Sequence, residues 1–127
     1  MTDESLASDV FERLQKATLA NPGELAGLCR HYLAEARRTL KQLRSAFAEQ
    51  DPMQLRDRAH YLRGSSLVIG ATVVARCCAE LEEMGRKSEL RGAAAVVDRA
   101  TVALDAVQEE LANRLGRSVL PAEGSAA

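Results

Sequence analysis

The sequence predicts an all-α fold, an antiparallel up-down four-helix bundle with an additional N-terminal helix. Three observations carry this. Apolar residues recur by threes and fours along nearly the whole chain. Two helix-start signals stand at Asn21-Pro22 and Asp51-Pro52, where a capping side chain precedes a proline suited to the first helical turn. Aromatic residues make up only 3% of the 127 positions and tryptophan is absent, so a core must be built from leucine, valine and alanine, an alphabet that favours helices. Strand alternation is nowhere sustained.

The first helix is expected over about 3–19, with Val10, Phe11, Leu14 and Thr18 at helical spacing. The second starts at Asn21-Pro22, with Glu24 three residues after the cap. Leu25, Cys29, Tyr32, Ala36, Leu40, Leu43 and Phe47 then mark one apolar face to about residue 49. The third starts near Pro52, with Gln54 three residues after Asp51, and carries Leu55, Ala59, Leu62 and Ser66 on one side. Gly70 interrupts. The fourth turns Val74, Cys77, Leu81 and Met84 inward, and Gly85 with the basic pair Arg86-Lys87 reads as its stop or kink. The last begins at about Ser88 or Glu89 and uses Val97, Ala100, Leu104, Val107, Leu111 and Leu115, ending at Gly116. One domain over 1–117 follows, with 118–127 as a disordered tail.

Composition narrows the function. A net charge of −1 gives no global attraction to nucleic acid or to an anionic membrane surface. No apolar run reaches the ~20 residues of a spanning helix, and Thr2-Asp3-Glu4 does not open a signal peptide. Cys29, Cys77 and Cys78 are odd in number and lack zinc-site spacing. They read as buried thiols in a reducing cytoplasm.

The third helix holds the informative residue. At about 100° per residue, Leu55, Ala59, Leu62, Ser66 and Ile69 fall within roughly 40° of one another, while His60 falls at roughly 140°. The histidine therefore faces outward. Arg56 and Arg63, at minus four and plus three, can reach an anion on its ring. Gly64, one turn on, costs about 1 kcal/mol of helix stability and leaves space beside the imidazole. Met53 and Leu67 add apolar surface around it, as a docking site would. Together these point to a phosphate-accepting histidine, although each alone has an ordinary surface explanation.

The run His60-Tyr61-Leu62-Arg63-Gly64-Ser65-Ser66, with Gly70 after a short spacer, resembles the signature of histidine-containing phosphotransfer (HPt) domains. The likeness continues through Val74, Cys78, Leu81 and Gly85-Arg86. It implies a phosphorelay intermediate that takes a phosphoryl group from the aspartate of one receiver domain and gives it to another. His60 would be the acceptor through Nε2, Arg63 the basic neighbour, Gly64 the clearance and Ser65 the next motif position. Glu82 aligns where some members carry a glutamine that holds the other ring nitrogen. Glutamate there should raise imidazole basicity and could repel the phosphoryl group. Receiver domains of response regulators and hybrid kinases are the implied partners, with Mg²⁺ in the receiver and no cofactor here. The resemblance implies a carrier without kinase activity, acting mostly as a monomer. Two other readings remain: a docking module of the same fold that is never phosphorylated, and an enzyme or metal site using His31, His60 and the cysteines.

Overall fold

The computed structural model describes residues 4–120. Five α-helices follow one another, α1 Ser8–Ala17, α2 Pro22–Ala48, α3 Pro52–Ile69, α4 Thr72–Lys87 and α5 Ala93–Leu115, with a 3₁₀ turn at Arg117–Val119. No strand occurs among the described residues. Helix α3 packs most extensively on α4, which also meets α5, while α2 lies against both α3 and α5. One continuous core fills the space between these four, and α1 rests on α3.

Burial follows the helical period. On α3 Leu55, Ala59, Leu62, Ser66 and Ile69 are all buried. On α2 the stripe runs from Leu25 through Cys29, Tyr32, Ala36 and Leu40 to Leu43, with Phe47 only partly covered. Within it the Tyr32 hydroxyl and Ser66 Oγ are 2.7 Å apart, which satisfies two polar groups that burial would otherwise penalise. Asp51 Oδ1 accepts from the Gln54 backbone N–H at 3.1 Å and caps α3 as the Asp51-Pro52 pair suggests. Asn21 makes no such side-chain bond.

Four boundaries differ from the sequence expectation. Helix α1 begins at Ser8 rather than near residue 3, because Leu6 is buried ahead of it and the Ala7 N–H donates to the Gly70 carbonyl at 2.8 Å. Residues 1–3 lie outside the described residues. Gly85 does not stop α4, which runs on to Lys87. A Cβ there would sit 2.6 Å from the Pro52 carbonyl oxygen and 2.7 Å from the Arg56 backbone nitrogen, so glycine is what lets α4 approach the start of α3 so closely. Helix α5 starts at Ala93, not at 88 or 89, since Ser88 and Gly92 take left-handed conformations and Leu90 plugs the core between them. Finally, the expected tail is folded where it begins. The 3₁₀ turn packs on α2 and α5, and Val119 is wholly buried. Residues 121–127 lie outside the described residues.

Candidate functional site

Opposite its core stripe, α3 presents Met53, Arg56, His60, Gly64 and Leu67 to solvent, one turn apart. His60 is 67% exposed, so the ring pays little to meet a partner. It is nevertheless held. Its Nδ1 lies 2.9 Å from Glu82 Oε2 on α4, a carboxylate only 25% exposed. A carboxylate accepts only, so the ring nitrogen facing it donates, which leaves Nε2 with a free lone pair in the neutral imidazole. The same carboxylate meets Arg63, whose Nε is 3.2 Å from Oε1. This is an ion-pair contact outside hydrogen-bond alignment, and Oε1 has no hydrogen-bond partner.

Gly64 is exposed, and a Cβ placed on it would meet nothing within 4 Å. Its missing side chain therefore serves no helix contact, and the space it leaves is open, one turn along the helix from His60. Arg56 is on the same stripe, but its guanidinium is paired with Asp57 at 3.1 Å. Ser65 is not brought to the ring. It stands five residues on, about 140° around the helix, and its hydroxyl donates to the Leu62 carbonyl at 3.2 Å.

Met53 and Leu67 are both exposed at the two ends of the stripe. The sequence reading missed their extension: Tyr61 and Val68 are exposed as well. They line a small apolar cavity of about 160 Å³ between α2 and α3, together with Leu28, His31 and Ser65. The signal was present in the helical wheel, where both apolar residues fall outside the core stripe. His31 sits in that cavity and not with the cysteines. All three thiols are buried and unpaired. Burial pushes Cys29 up to about 11 and Cys78 up to about 12, and raises Cys77 also, so none offers a thiolate near neutral pH. Among the described residues no group of three or more His, Cys, Asp or Glu is placed to hold a metal ion.

The site thus combines an exposed imidazole held through one nitrogen, an arginine paired to the same carboxylate and an open glycine position one turn along the helix. The Hpt domain family model matches residues 27–114, and the chain belongs to that family. Its fold is also that of a solved relative, histidine-containing phosphotransfer protein B from Pseudomonas aeruginosa PAO1. The two share 27% identity and superpose with a TM-score of 0.83, covering 91% of this chain and 98% of that one. A search of curated protein sequences returns no match. Family and relative support a histidine phosphotransfer role in phosphorelays for the chain, and Hpt domains are phosphotransfer carriers rather than kinases. No helix among the described residues is long and apolar enough to cross a membrane.

Proposed function

We propose that this chain is a relay intermediate between two receiver domains, built as an antiparallel up-down bundle of α2–α5 with α1 added, and that His60 carries the phosphoryl group. The observation that carries this reading is the His60 Nδ1–Glu82 contact on an exposed ring, which leaves Nε2 as the nitrogen available to a partner. In the transfer, the Nε2 lone pair forms the N–P bond as the P–O bond to the donor aspartate breaks. The aspartate leaves as a carboxylate. Because Nδ1 keeps its proton, the phosphorylated ring becomes cationic, and the Glu82 carboxylate beside it offsets that charge. Passing the group on reverses these steps toward a second receiver's aspartate.

Transfer of this kind depends mainly on in-line positioning and charge stabilisation. Arg63, and Arg56 once released from Asp57, supply positive charge near the phosphoryl oxygens. Gly64 leaves room for the group, while Met53 and Leu67 form apolar contacts with the receiver. Ser65 acts on the helix itself rather than on phosphate. Mg²⁺ belongs to the receiver in this reading, and the carrier works as a cytoplasmic monomer.

The test is incubation with a receiver bearing labelled aspartyl phosphate. Acid-labile, base-stable label should appear on the wild-type chain and be absent from His60→Gln. Equal labelling of that variant overturns the proposal, and an unlabelled wild type favours a module that only docks receivers.

A further inference from the structure

Glu82 faces two groups with opposite demands. Its Oε2 is 2.9 Å from His60 Nδ1 and its Oε1 3.2 Å from Arg63 Nε. Before loading, the Glu82–Arg63 pair adds no net charge beside the ring. Loading puts a positive charge on the ring and a doubly charged phosphoryl group on its far nitrogen. The carboxylate favours the first and opposes the second. One imidazole ring separates it from the phosphoryl oxygens, closer than the ~8 Å over which salt screens charge in physiological solution. A guanidinium carries five N–H donors, so engagement through Nε leaves others for a phosphoryl oxygen.

Resting on the relay reading above, we propose that Arg63 is the counter-ion of Glu82 as well as a phosphate neighbour. The two form one positioning unit, in which Glu82 favours the phosphorylated ring only while Arg63 neutralises it. The consequence is non-additive. Removing the carboxylate weakens the hold on Nδ1 from a charge-assisted to a neutral hydrogen bond. Removing the guanidinium leaves a naked carboxylate aimed across the ring at the phosphoryl group. Once Arg63 is gone, neutralising Glu82 should therefore help.

The experiment uses the full chain and four variants, Glu82→Gln, Arg63→Gln, Arg63→Lys and the Arg63→Gln/Glu82→Gln double, each checked for helicity by circular dichroism. Each is equilibrated with one phosphorylated receiver, and the ratio of phospho-His60 to phospho-receiver is read. Glu82→Gln should lower that ratio about fivefold, the difference between a charge-assisted and a neutral hydrogen bond. Arg63→Gln should lower it further, about tenfold or more, since a phosphate contact is lost as well. The double variant should recover severalfold over Arg63→Gln, and Arg63→Lys should stay near wild type. Additive losses overturn the proposal, as does a lysine variant as poor as the glutamine one. Either result, with label still reaching wild-type His60, leaves the relay reading standing. A wild-type chain that takes no label overturns both.

Discussion

Gly64 and Gly85 sit on neighbouring helices and use the absence of a side chain for opposite ends. Around Gly64 there is nothing within 4 Å of a would-be Cβ, whereas at Gly85 the backbone of α3 stands 2.6 Å away. One glycine keeps a space open toward solvent, and the other closes two helices on each other. The same contrast divides the two sides of α3. The side facing the core is sealed, with its one buried hydroxyl paired to Tyr32. The side carrying His60 is open, and its polar groups are organised by Glu82 from α4. A rigid sealed side supplies the position. The open side supplies access.

The comparison breaks first at Gly85. Gly85→Ala should destabilise the fold by about 3 kcal/mol, because backbone atoms of α3 rather than a flexible side-chain end stand in the way. Thermal unfolding should show a fall of about 10 °C; an unchanged midpoint would mean the helices part easily. Next in size is Ser66→Ala. It strands the buried Tyr32 hydroxyl and should cost about 1–2 kcal/mol by denaturant titration, while phosphotransfer survives. A variant that folds as tightly as wild type would show that the sealed side does not need this bond.

The sealed side also predicts weakness in alkali. Burial raises the thiols of Cys29 and Cys78 and the Tyr32 hydroxyl above their ordinary values. Below the unfolded thiol value near 9 these groups are neutral in both states and contribute no pH dependence. Above it the unfolded chain ionises while the folded one does not, so stability is lost as pH rises from about 9 toward 11. The expected slope is about 1 kcal/mol per pH unit for each group titrating in this way. Denaturant midpoints measured from pH 8 to 11 check it, and a flat profile would contradict the dry surroundings of these groups. The smallest effect on stability, and the sharpest test of the contrast, is Gly64→Ala. It should stabilise the helix by about 1 kcal/mol while slowing transfer to His60 about tenfold or more, since misplacement by an ångström is costly in rate. Undiminished transfer would remove the clearance role.

Much of this was legible because burial repeats with the helix. The stripe Leu55, Ala59, Leu62, Ser66 and Ile69 is a 3.6-residue pattern, and His60 fell outside it for the same reason. Asp51 was readable as a cap from its type and its place before proline. What escaped the sequence was non-local. Gly85 followed by Arg86-Lys87 has the local chemistry of a helix end, and only the approach of α3 gives the glycine its use. Leu6, Leu90 and Val119 are single buried apolar residues outside the five α-helices, with no period to announce them. At the site, the residue types of His60, Arg63 and Gly64 were apparent, and the family resemblance placed Glu82 near the ring. The sharing of one carboxylate between His60 and Arg63 was not, since it depends on the facing of two helices. Ser65 belonged to the motif in sequence but turns to its own backbone in space.

The connection between α3 and α4 has one more consequence. Gly70 and Ala71 alone separate the two helices, and His60 and Glu82 are 22 residues apart in the chain. Bringing His60 and Glu82 together thus requires closing only a short hairpin, and the entropy of that closure grows slowly with loop length and is small here. The geometry at His60 thus rests on a contact between helices that are neighbours in the chain, so changes in α1 or in the segment leading into α5 reach it by loosening the hairpin's support.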